Sequence, residues 1–139
     1  MCEYKKLMPF INTALENENG QNILIVSCKC NLNDIISNLL KIKDIDINKV
    51  DVYNFSALHY AILNNNTLIA KTLIRKSKIK INSIYSNSKM SLLMKAIKKE
   101  NNKICKMLLD KPDIDVNIQN KNGNTALILS IYHKRINIA

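Results

Sequence analysis

The sequence predicts an all-α solenoid of stacked helix-turn-helix units, on three observations that share one period. Short apolar segments recur as NILIVS (22–27), SALHYA (56–61), SLLMKA (91–96) and TALILS (125–130), starting 34, 35 and 34 residues apart. Downstream of the first three comes a paired apolar step, at Leu39-Leu40, Leu73-Ile74 and Leu108-Leu109. A third mark, in DIDIN (44–48), KIKIN (78–82) and DIDVN (113–117), closes on Asn48, Asn82 and Asn117 at the same spacing. Self-similarity of this kind is the signature of an array in which each unit leaves an apolar face that its neighbours cover.

Each element follows from local chemistry. Residues 1–16 hold a fragment of a unit, a short helix broken at Pro9, and are expected to form an N-terminal cap or partial repeat shielding Ile23 and Leu24. Asn22, Ser56, Ser91 and Thr125 open the four segments, and each side chain can accept a bond from a free amide at a helix start. A short apolar helix follows each cap, then a polar break at Asn31, Asn65 and Glu100. The second helix of each pair carries apolar residues at helical spacing: Leu32, Ile35, Ile36, Leu39 and Leu40 in the first copy, and Leu68, Ile69, Leu73 and Ile74 in the second. Ile104, Cys105, Met107, Leu108 and Leu109 do so in the third. The repeats so bounded are 17–50, 51–85 and 86–119, with a partial fourth at 120–139. That fourth copy stops where a second helix is due. Leu127, Leu129 and Ile131 are therefore expected to be exposed or to drive self-association, and the chain to be a fragment or the start of a longer array, unless this end is a tailored shorter cap.

Composition narrows the class. A chain of 139 residues has room for one domain with a real core. No apolar run approaches the ~20 residues of a membrane-spanning helix, so no membrane span is expected. Asn, Ile and Lys number 21, 22 and 19, a bias that A/T-rich codons favour and that weakens arguments from Lys count alone. Four irregularly spaced cysteines without an export signal suggest a reducing, intracellular setting, with the cytoplasm first in line.

SALHYA carries the strongest family mark. With Leu58, His59 and Ala61 it resembles the T-P-L-H-x-A motif that opens the first helix of an ankyrin repeat, and the resemblance extends over residues 17–139. It implies β-turn fingers between the units. Asp51-Val52-Tyr53-Asn54 stands for the DxxG finger, Gly20 and Gly123 hold the turn in two others, and Asn54 can adopt the left-handed conformation needed there. The departures are specific. Ile23, Ala57, Leu92 and Ala126 replace the Pro after the cap, and the third copy carries an extra residue with Lys89 at the turn. A distorted, more mobile finger is expected at 86–89. His59 is expected to bond between neighbouring units, as the family's motif histidine does.

Chemistry is sparse. The phosphate-loop, dinucleotide, zinc-protease and nucleophile-elbow signatures are missing, and His59 and His133 are the two histidines. Cys28-Lys29-Cys30 lacks the second pair that a zinc site wants. No enzymatic activity, cofactor or metal is expected. Between Lys71 and Lys111 stand 12 basic residues and two acidic ones, Glu100 and Asp110, which account for the whole net charge of +10. Scarce Arg and the lack of a binding motif argue against nucleic acid. The ankyrin register sets Lys71 and Lys106 on an outer helix face and other lysines in loops, so the charge is not expected to converge on one groove. It suits an acidic protein partner, or reflects codon bias without function.

The resemblance also implies where a partner sits, on the concave surface made by finger tips and the exposed sides of the first helices. Those positions are Glu18, Asn19, Gln21 and Lys29 in the first copy, and Tyr53, Phe55, Leu63 and Asn64 in the second. Tyr85, Met90, Lys98 and Lys99 hold them in the third, and Asn124, Tyr132 and His133 in the fourth. Exposed aromatics anchor interfaces, although the same rings could instead pack on neighbouring fingers. The expected function is a non-catalytic protein–protein interaction module, with Tyr53 and Phe55 as anchors and Lys98 and Lys99 steering an acidic partner. The alternative is a spacer or regulatory array of a longer polypeptide, with no partner of its own.

Overall fold

The computed structural model describes residues 4–85 and 87–138 and has the predicted all-α solenoid architecture. Helix α1 (Tyr4–Leu7) runs into a 3-10 turn at Met8–Phe10, where Pro9 ends it, and Met8 and Ile11 pack against the core. Helix hairpins then repeat as α2 (Ile23–Lys29) with α3 (Asn33–Leu39), and α4 (Ala57–Leu63) with α5 (Thr67–Ile74). After the hairpin of β1 (Ile84–Tyr85) and β2 (Met90–Ser91) come α6 (Leu92–Lys98), α7 (Asn102–Leu109) and α8 (Ala126–Ile138). The first helices stack in the order α2, α4, α6, α8, and α5 stacks on α7.

The predicted punctuation is made of specific bonds. Asn22, Ser56, Ser91 and Thr125 accept from the amides of Ile25, His59, Met94 and Ile128. At the breaks, Asn31, Asn65 and Glu100 take φ of 60°, 56° and 55°. The amide after each break reaches back to Ser27, Ala61 or Ala96, closing the helix with a left-handed residue and a returning N–H.

Apolar columns run through the stack. Leu24, Leu58 and Leu93 are buried at equivalent positions, whereas Leu127, the next member, is 68% exposed. Ile131 is exposed as expected, but Leu129 is buried, because α8 lays that side against the stack. α8 also runs past His133. Lys134, at the position of the left-handed Glu100, stays helical and the helix continues to Ile138.

Asparagine side chains join the units. Asn48 donates to the Lys78 carbonyl at 2.7 Å and accepts from the Lys80 amide at 2.9 Å. Asn82 repeats this on Asp113 and Asp115, at 2.7 and 2.8 Å. Asn66 caps α5 through Ile69 while donating to Asn31 and Asn33, and Asn101 caps α7 while donating to Asn65 and Thr67.

Fingers one, two and four share one turn. The Oδ1 of Asn17, Asp51 or Asn120 accepts from the amides two and four residues on, and Gly20, Asn54 and Gly123 take φ of 72°, 65° and 78°. Tips are also tied together, since Val52 donates to the Asn19 carbonyl and Lys121 to that of Ser88, 3.0 and 2.9 Å long. The expectation of a distorted, more mobile finger at 86–89 falls in part on Ser86, which lies outside the described residues. Ile84 pairs with Ser91 and Tyr85 with Met90, where the second finger has a single bridge between Val50 and Ser56. The extra residue is taken up inside this hairpin, with Lys89 at φ 54°.

A lysine at positive φ carries strain that glycine lacks. Lys89→Gly is expected to raise the unfolding free energy by ~0.5–1 kcal/mol in denaturant melts. Asn66→Ala, which removes a cap and a junction together, is expected to lower it by ~1–2 kcal/mol.

Candidate functional site

The second finger positions the residues that could meet a partner. Asp51 organises it: Oδ1 accepts from the Tyr53 and Phe55 amides, at 3.0 and 2.9 Å, and Oδ2 from the Tyr60 hydroxyl at 2.5 Å. Gln21, buried beside the preceding finger, donates to the same Oδ2 at 3.1 Å. Burial alone would push the Asp51 carboxyl up, but the bonds from Tyr60, Gln21, Phe55 and Tyr53 outweigh it and hold the group below its usual range. The carboxylate therefore stays ionised and fixes the finger to α4 and to the unit before it.

On that rigid turn Tyr53 points outward, 58% exposed, and its ring lies 6.5 Å from Phe55. Phe55 is half-buried. It meets Tyr60 edge-on at 5.4 Å and Tyr85 at 5.1 Å, so it supports the finger from inside. Tyr85 and Met90 do not have the exposure expected of contact residues, at 5% and 7%. They are cross-strand partners in the third finger, and the Tyr85 ring is wedged against Phe55 and edge-on to His59. Leu63 is half-buried. Asn64 is exposed, but its amide donates to the Cys28 and Lys29 carbonyls at 2.9 and 3.2 Å and so closes α2.

Lys98 and Lys99 are exposed at the end of α6. Partial burial and the charges of Lys99 and Lys98 hold the ammonium of Lys95, one turn earlier, below its usual range. This face is thus locally positive. Lys49 pairs with Glu16 at the opposite end of the stack. Tyr132 is 51% exposed on α8, Glu18 and Lys29 are exposed at the first finger and helix, and Asn19 is half-buried there. Asn124 is half-buried at the fourth finger. His133 is half-buried on a groove of about 900 Å³ between α6, α7 and α8, floored by Leu93, Ile97 and Leu127. The continued helix carries it there, away from the finger tips.

His59 does not bond to a neighbouring unit. Its Nδ1 accepts from the Ser56 amide at 3.0 Å and lies 2.8 Å from the Ser56 hydroxyl, closing the cap of its own helix. The cross-unit contact is the ring edge of Tyr85, 4.8 Å away. Burial lowers the His59 pKa to about 4, only partly opposed by Asp51, so the imidazole is neutral at pH 7. Burial likewise pushes the Cys28 thiol up to about 12 and raises that of Cys105, which makes neither a ready thiolate ligand.

One grouping was not legible in the sequence. Lys71, Arg75, Lys103, Lys106 and Lys111 converge on a single groove of about 690 Å³ between α5 and α7. The expectation of a scattered charge fails there, because stacking sets positions 35 residues apart side by side.

Comparison with known proteins agrees with the repeat architecture. Residues 4–85 match a family model described as ankyrin repeats (3 copies), and residues 93–139 match one described as ankyrin repeats (many copies). A search of curated proteins found no match. No helix among the described residues is long and apolar enough to cross a membrane.

The buried imidazole makes a pH signature. Between the ordinary imidazole value of 6.5 and its folded value of about 4, the unfolded chain binds a proton that the folded chain does not. Stability is expected to be level above that window and to fall as pH drops through it, by up to about 3 kcal/mol. Asp51, held low, adds a loss only at still lower pH. Denaturant melts at steps across the window measure the slope, and His59→Gln is expected to remove it.

Proposed function

The chain belongs to the ankyrin repeat family, and on that premise we propose that it is a non-catalytic module docking a protein partner on its concave face. Ankyrin repeats are generally protein–protein interaction modules, and the family is typically non-catalytic. The observation that carries the finer reading is Tyr53: a large ring more than half exposed on a finger whose backbone is held by Asp51 and whose base is packed by Phe55. A ring presented on a fixed turn loses little conformational freedom on binding, which is what an anchor requires. Lys98 and Lys99, exposed on the first helix of the next unit, add a positive rim that steers an acidic partner. Phe55 supports this anchor from within, and Tyr85 supports Phe55 in turn.

The experiment is affinity capture from a lysate of the source cell, at moderate and at high salt, with wild type and two variants. A partner that survives high salt is expected to lose about 2 kcal/mol of binding, roughly thirtyfold, with Tyr53→Ala. Lys98→Glu/Lys99→Glu is expected to weaken capture mainly at moderate salt. Proteins that wash off with salt and ignore Tyr53→Ala would sink the reading.

A further inference from the structure

We propose that the groove between α5 and α7, on the face made by the second helices, is a separate binding site for an acidic peptide segment bearing apolar anchors. Its rim carries Lys71 and Arg75 from α5, and Lys103, Lys106 and Lys111 from α7 and the turn beyond it, against one acid, Asp110. No carboxylate lies within ion-pair distance of these five among the described residues. The floor is apolar. Leu68 is 62% exposed, Met107 is half-buried beside it, and Ile74 closes the bottom. A ring of unpaired cations around exposed hydrophobic surface complements a segment that has both acidic and apolar side chains.

The first unit supplies an internal control. Its second helix occupies the same place in the scaffold and comes from the same biased composition. Yet Ser37 stands where Lys71 and Lys106 stand, and Asp34 where Leu68 and Lys103 stand. Lys41 matches Arg75 just past the helix, but α3 itself carries no cation; codon bias would act on all three helices alike, so it does not account for Lys71, Lys103 and Lys106 on α5 and α7. The chemistry also selects among polyanions. Only one of the five cations is the bidentate Arg, no aromatic ring lines the groove for base stacking, and the floor has no use for a phosphate backbone.

Fluorescence anisotropy of the full chain tests this with a labelled synthetic peptide, rich in Asp and Glu and carrying two Leu one helical turn apart. Comparators are the same peptide with both Leu changed to Ser, and a single-stranded oligonucleotide of matched charge. Lys71→Glu/Lys106→Glu is expected to weaken peptide binding by about tenfold or more. The charge-matched control Lys41→Glu/Lys43→Glu, on an exposed loop of the first unit, is expected to change it by less than about twofold. Leu68→Ser and the peptide without Leu are each expected to bind several-fold more weakly. All substituted residues are exposed, and circular dichroism checks that each variant keeps its helices. No peptide binding, equal losses in the two charge variants, indifference to Leu68→Ser, or tighter binding of the oligonucleotide would each overturn the proposal.

Discussion

An asparagine carboxamide can donate and accept at once, and this chain places one at nearly every junction between its units. Asn48 and Asn82 each bridge a carbonyl and an amide of the next unit, as a neighbouring strand would. Asn66 and Asn101 hold a helix start with the oxygen and the preceding unit with the nitrogen. Each bond is modest, about 1 kcal/mol net. Apolar burial supplies most of the driving force, but it is non-directional and tolerates sliding. The amides do not tolerate it. They require each unit to sit at one rise and one rotation over the last, and the alignment of fingers and helices follows from that requirement.

Much of this architecture could be read from the residues, because it rests on short-range chemistry. The period, the four first-helix caps and the breaks at Asn31, Asn65 and Glu100 are local signals, and each has its bond in the structure. The misreadings concern partners a full repeat away. The abundance of Asn looked like codon usage because the junction bonds span 30 to 36 residues. Tyr85 and Met90 were assigned to a surface by carrying the register through a copy with an extra residue, and strand pairing turned both inward. The basic residues looked dispersed along the chain, and only the stacking of α5 on α7 brings them together. His133 shares a concave position by register, but α8 runs on past it and sets it on a groove between α6, α7 and α8.

The same packing separates reactive groups from solvent and leaves others displayed. His59 is neutral and engaged with Ser56, Asp51 is saturated with donors, and Cys28 is buried as a small apolar side chain. What the solenoid presents is shape and charge: a tyrosine on a fixed turn, an ammonium cluster on α6, and a second cluster around the α5–α7 groove. Rigid backbone beneath exposed side chains suits recognition better than turnover.

The paired third finger has a consequence for how such a protein can vary. Between Val50 and Ser56 the chain spends six steps, and between Ile84 and Ser91 seven, yet Ser56 and Ser91 cap their helices with the same bond. A change in length has been absorbed at the tip without disturbing the column of helices beneath it. Loop size and scaffold are therefore uncoupled at this edge: one can drift, be lengthened or receive a grafted segment while the other keeps its geometry. New contacts can then arise at the fingertips with no rearrangement of the core.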